Sequence, residues 1–160
     1  MPEMTLLGWF HTVLGVLAVL SGFYTLYKYR VISYDVGPGK LYILVTLLVA
    51  GSALGIYNQG GFGVAHILAV LTLIALAGGY IMERYKWFGS FSKYFQALGY
   101  TSTLLFHMIP AITDTLRRLP VGDPFATSLD DPLVFSFHVL FFVIFVFSYV
   151  WQVQWLKRET

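Results

Sequence analysis

Four histidines are the residues in this sequence whose type and placement could do chemistry. They are His11, His66, His107 and His138, each in a different apolar segment of a chain that has no cysteine. Neutral imidazole is a good ligand for zinc, copper and iron. Four rings at one level could saturate a mononuclear transition-metal site, with Asp114 as an added ligand or as a carboxylate that orients a ring. Two of the four could instead hold one haem b axially, leaving the others to handle protons or a quinone. The aromatic run Phe135, Phe137, Phe141, Phe142 and Phe145 would suit a flat apolar macrocycle, although such runs more often face lipid or core. The four-histidine metal site is preferred, because it leaves no ligand spare. The lack of cysteine removes disulfides, zinc–thiolate sites, iron–sulfur clusters and covalent haem attachment. A plainer reading stands beside these: satisfied or interfacial histidines that share no ligand.

The elements that must position these rings follow from composition. The chain has 160 residues, 58% of them hydrophobic and 11% charged. A soluble domain carries about a quarter charged residues, so this one cannot cover a water-facing surface. A dispersed net charge of +2 gives no footprint for nucleic acid. A spanning helix needs roughly 17–25 mostly apolar residues. Five helices are expected, over residues 5–27, 40–57, 62–82, 94–112 and 132–155. The expected fold is therefore an all-α integral membrane bundle, a single domain over residues 1–160. The second segment is short and the fourth is the least apolar. The Leu104-Leu105-Phe106 core and the need to reverse direction favour a crossing for the fourth. The first segment is too long for a signal-peptide core and reads as a retained helix.

Orientation follows from the basic residues. Lys28, Arg30, Lys40, Arg84, Lys86, Lys93, Lys157 and Arg158 fall on one side, and only Arg117 and Arg118 on the other. This bias predicts N-terminus out and C-terminus in, as in a multi-pass protein of a bacterial inner or plasma membrane. The basic loops would meet anionic headgroups. At 1.5 Å per residue, all four histidines lie roughly 6–9 Å from the outer boundary. Helical spacing turns several of them inward. The stripe Gly8, His11, Gly15, Ala18 and Gly22 shares one face of the first helix, and small residues let membrane helices approach closely. The fourth helix gathers Gln96, Gly99, Thr103, His107, Pro110 and Asp114 on one face. A polar stripe of this kind should face protein rather than lipid. The fifth aligns His138, Phe142, Phe145, Tyr149 and Gln152.

Other motifs carry less. Asn58-Gln59-Gly60-Gly61 reads as a tight interhelical turn, and Gly60-Gly61-Phe62-Gly63 as part of a hairpin rather than a phosphate cradle. Gly51 and Gly55 mark close helix contact. Pro110 is expected to kink the fourth helix beside His107 or to end its membrane part. Glu83, next to Arg84, reads as a solvated interfacial charge. No Ser/His/Asp spacing and no His-Glu-x-x-His motif is present, so nothing identifies an enzyme.

The run His11-Thr-Val-Leu-Gly15 with Ala18 and Gly22, then Gly37-Pro-Gly-Lys40, then Phe62-Gly-Val-Ala-His66-Ile-Leu-Ala, resembles a family of predicted bacterial multi-pass membrane proteins. That family is catalogued as a domain of unknown function. The resemblance covers about the first two-thirds of the chain and implies fold and topology rather than an activity. Members tend to carry a His-Arg pair after the first inner loop, where Tyr42 falls here, and a His in the second inner loop, where Tyr94 lies. The inner-leaflet pair is thus missing, and His107 and His138 have no counterpart in the pattern. A path for electrons through two stacked haems is not expected.

The leading expectation is therefore a membrane protein with an outer-leaflet four-histidine metal or haem site and a redox or metal-handling role. The alternatives are a non-catalytic accessory or structural subunit of a membrane complex, and a membrane protein that binds a lipid or quinone.

Overall fold

The computed structural model describes residues 5–57 and 61–159. The predicted turn at Asn58-Gln59-Gly60 and the acidic Glu3 lie outside the described residues. The described chain is all helical: α1 (Leu6–Tyr29), α2 (Gly37–Ala53), α3 (Val64–Tyr85), a single 3₁₀ turn (Gly89–Phe91), α4 (Ser92–Arg118) and α5 (Pro132–Arg158). Helices α1, α3 and α5 are long and apolar enough to cross a membrane, and α2 is a shorter apolar helix.

Local signals set the ends. The Thr5 hydroxyl accepts the Gly8 N–H at 3.1 Å and caps α1, and the Asp131 carboxylate accepts the Leu133 N–H at 2.9 Å ahead of Pro132 in the first turn of α5. Each cap satisfies one orphan donor and is worth about 1 kcal/mol. Pro38 similarly opens α2, because proline needs no amide partner in a first turn. That is why α2 begins at Gly37, three residues before the predicted start. Pro110 does not end α4; the helix runs through it to Arg118.

Contacts at the helix ends fix an alternating arrangement. At one end, Arg30 after α1 lies over the Trp151 ring of α5, 4.7 Å from its centroid. There Lys93 of α4 donates to the Leu156 carbonyl near the end of α5 at 2.8 Å. The Gln96 amide of α4 donates to the Ile32 carbonyl beyond α1 at 3.2 Å. At the other end, α1 meets the last turn of α2 and α4 meets the start of α5. Consecutive helices therefore run in opposite directions, while α2 and α4 run the same way.

Helix α4 is the centre of the bundle. It packs on α3 and α5, and along a narrower strip on α1, while α1 packs on α2 and α2 on α3. Surrounded by protein, α4 can be the most polar of the five, because its hydroxyls and amides find partners instead of lipid. Its crossing with α3 is close. A Cβ on Gly99 would sit 2.8 Å from the Ala75 carbonyl oxygen and 3.0 Å from the Gly79 Cα, and one on Gly79 would sit 2.7 Å from the Tyr100 ring. These two glycines permit the approach. The predicted small-residue stripe of α1 is used in part: Ala18 is buried and Gly22 lies under the Tyr42 ring, while Gly15 faces open space. Gly51 likewise meets nothing, so the Gly51/Gly55 spacing is not a close helix crossing.

Candidate functional site

Two histidines lean on one face of α2. His11 places Nδ1 3.1 Å from the Val49 carbonyl and 3.0 Å from the Ser52 hydroxyl. A carbonyl only accepts, so the proton of the neutral ring sits on Nδ1 and donates across to α2. His107 places Nε2 3.1 Å from the Thr46 hydroxyl. Residues 46, 49 and 52 are neighbours on a helix surface, so the two rings dock about one turn apart.

His107 is also deeper than its sequence position implied. Because α4 continues to Arg118, His107 lies 118 − 107 = 11 residues from the helix end, roughly 16 Å along the axis. It is level with the middle of α2.

Below it stands a dry polar cluster. Tyr42, Thr46 and Thr103 are fully buried and His107 nearly so. The Tyr42 hydroxyl is hydrogen-bonded to the Thr103 hydroxyl, Thr103 also donates to the Tyr100 carbonyl at 2.7 Å, and the Tyr42 ring stands edge-on to His107 at 6.3 Å. Through its bond to Thr103, Tyr42 ties α2 to α4. Tyr42→Phe strips Thr103 of its buried partner. Interhelical hydrogen bonds in membranes average about 0.6 kcal/mol and reach about 1.7, and this one is fully enclosed. A loss of about 1–2 kcal/mol is expected in equilibrium unfolding in mixed detergent micelles.

His138 works on the other side of α4. Its Nε2 lies 3.0 Å from the Thr113 hydroxyl and 3.3 Å from the Ile109 carbonyl, which again makes the histidine the donor. The predicted stripe of α5 holds in part below it: Phe145, Tyr149 and Gln152 turn inward, while Phe142 is exposed. Tyr149 donates to the Tyr94 carbonyl at 3.3 Å, and Gln152, fully buried, accepts from Thr101 at 3.0 Å. His66 makes no bond to another helix. It caps its own: Nδ1 accepts the Gly63 N–H at 3.1 Å.

His11, His66 and His138 lie toward one end of the bundle and His107 near its middle, and the four do not converge. His11 and His107 face α2, His138 faces the α5 side of α4, and His66 sits at the start of α3. Asp114 is mostly exposed and pairs with Arg118 at 3.9 Å. Among the described residues no group of three or more histidines or carboxylates is placed to hold a metal ion. The apolar cleft between α1, α4 and α5, lined by Phe23, Leu104 and Phe145 among others, has a volume of about 30 Å³, whereas ligand pockets run to roughly 300–1,000 Å³.

A further charged side chain, expected from its sequence position to be solvated, is tied into the fold by three hydrogen bonds. Glu83, in the last turn of α3, is half-buried. One carboxylate oxygen accepts the Ser33 hydroxyl at 2.5 Å and the Tyr34 N–H at 2.9 Å; the other accepts the Tyr100 hydroxyl at 2.8 Å. It therefore joins α3 to α4 and to the α1–α2 connection. A groove lined by Tyr34, Asp35, Tyr80, Arg84 and Lys86 opens beside it. Neighbouring Arg84 hid this role, because an acid beside a base at a helix end reads as surface; partners 49 and 50 residues away leave no local signature.

Compared with known proteins, the chain matches no family model, no curated protein and no solved structure.

Proposed function

We propose that this chain is a five-span integral membrane protein of a bacterial inner membrane, N-terminus out and C-terminus in. Its role is that of a non-catalytic accessory or structural subunit, in which histidines join helices rather than ligate a metal. One observation carries the reading: His11, His107 and His138 each commit a ring nitrogen to an oxygen of a neighbouring helix. In lipid such groups need a partner inside the protein, and these have one.

Other features support the topology. The short α2 is about 25 Å long, close to the 30 Å hydrocarbon core. Polar α4 packs on α1, α3 and α5 and buries Thr101, Thr103 and His107 against its neighbours, so its polar face can cross without meeting lipid. The basic residues gather at the end where Arg30, Lys40 and Lys93 stack on aromatic rings, as expected of a cytoplasmic interface. Helix α5 buries little of itself and leaves an apolar flank for lipid or for a larger membrane complex. The likeness to bacterial membrane proteins of unknown function belongs to the same reading.

Optical spectra and elemental analysis of the protein purified in mild detergent test it. No Soret band and only trace zinc, copper and iron are expected. The His11→Ala/His107→Ala double variant should be less stable than the parent by about 1–3 kcal/mol, the sum of two interhelical bonds. A Soret band, or stoichiometric metal that the double variant loses, would establish the four-histidine or haem reading instead. The alternative of a lipid- or quinone-binding protein is favoured by one observation, the free ring nitrogen of His66.

A further inference from the structure

His66 differs from the other three histidines. It is the third residue of α3 and is 3% exposed. Its Nδ1 accepts from the Gly63 backbone N–H. A backbone amide only donates, so Nδ1 carries the lone pair and the neutral ring holds its proton on Nε2. That N–H is buried and has no acceptor among the described residues. Native proteins leave few such donors unpaired, and those they leave call for an explanation.

The surroundings narrow what the acceptor is. The imidazole lies between Tyr57, at 4.7 Å and 36°, and Phe62, at 5.1 Å and 26°. These covers are 57% and 66% exposed, so they are movable walls at the bundle surface and not core. A metal ion is the wrong occupant, because it needs a lone pair on Nε2 that this tautomer lacks. An anion fits poorly as well, because both walls are neutral aromatic rings that offer it no countercharge. A neutral acceptor between aromatic faces remains. Its depth fits as well. Two residues past the start of α3 is about 3 Å along the axis, at the boundary between hydrocarbon and the interfacial layer.

We propose that His66 Nε2–H receives a carbonyl oxygen carried by a neutral lipophilic molecule, either the acyl ester of a phospholipid or a quinone, which enters by displacing Phe62 or Tyr57. This rests on the reading of the chain as a membrane bundle. The full chain, with ¹⁵N-labelled histidine, is placed in nanodiscs of diester phosphatidylcholine or of its diether analogue, which has no carbonyl. Each is examined with and without a short-chain benzoquinone. The His66 Nε2–H resonance is identified by its loss in His66→Phe, which keeps an aromatic ring between the two walls. Relative to diether discs, a carbonyl partner should shift this resonance and slow its exchange with solvent about fivefold. A response to diester lipid identifies an acyl ester; a response to benzoquinone in diether discs identifies a quinone. Phe62→Ala removes one wall and should make either response larger. If the resonance is the same in all conditions for both the parent and Phe62→Ala, while the protein stays in the discs, the carbonyl site is overturned alone. If the protein does not enter bilayers, the membrane reading falls and this proposal falls with it.

Discussion

Gly39→Ala is expected to lower unfolding stability by about 3 kcal/mol or more, although alanine is the better helix former. The propensity gain is about 1 kcal/mol. Against it stands geometry. Gly39 lies buried in the first turn of α2, where the α1–α2 connection folds back across it. A Cβ there would sit 2.2 Å from the Ser33 carbonyl oxygen, 3.0 Å from Val36 Cγ2 and 3.1 Å from the Ser33 nitrogen. The closest atom is backbone, so no rotamer change relieves the contact and the connection itself must move. Ser33 would carry that movement to Glu83, whose carboxylate it donates to. Gly51→Ala supplies the control, because nothing lies within 4 Å of a Cβ there; it should be neutral or slightly stabilising. The check is equilibrium unfolding of both variants in mixed detergent micelles. If the two variants are equally stable, the clash is not what holds position 39 to glycine.

Glu83→Leu should cost about 2–4 kcal/mol. The substitution orphans the Ser33 hydroxyl, the Tyr34 N–H and the Tyr100 hydroxyl together. Hydrogen bonds to a charged group are worth about 1.5–3 kcal/mol each. The total is reduced here because Ser33, Tyr34 and Glu83 are only half-buried, and water can serve the first two. The fully buried Tyr100 dominates what is left. Glu83→Gln keeps an acceptor and should lose only about 1 kcal/mol. Tyr100→Phe gives a test by sign. In the parent it removes a bond and destabilises; in Glu83→Leu it removes an orphaned hydroxyl and should be neutral or stabilising. The same logic couples Glu83 to Gly39 through Ser33. Gly39→Ala should cost less in the Glu83→Leu background than alone, and strict additivity would show that the two positions do not share that residue.

Much of the architecture was legible in the sequence, because hydropathy and helical period are local properties. The five helices, the inward Tyr149 and Gln152 of α5 and the buried Thr103 and His107 of α4 follow from spacing alone. So does the uneven split of basic residues between the two ends. Which atoms meet is not a local property. Spacing turned His11, His107 and His138 inward but could not say that they face different neighbours. Only the packing of α4 at the centre decides that His107 and His11 bond to α2 while His138 bonds to α4, so that a shared ligand sphere does not form. Ends were misjudged where a local effect outweighed hydropathy. Pro38 in the first turn lets α2 begin at Gly37, and α4 continues beyond residue 112 to Arg118.

The sequence by itself determined an apolar helical chain with no cysteine and with one histidine in each of four helices, because these depend on residue types and their order. The tertiary structure alone decided that Glu83 is a junction rather than a surface charge. It alone decided that Tyr42 and Thr103 close a buried contact, and that His66 keeps one N–H without an acceptor among the described residues. Each of these depends on groups brought together from distant parts of the chain, and a hydrogen bond between helices leaves no trace in the spacing of either one.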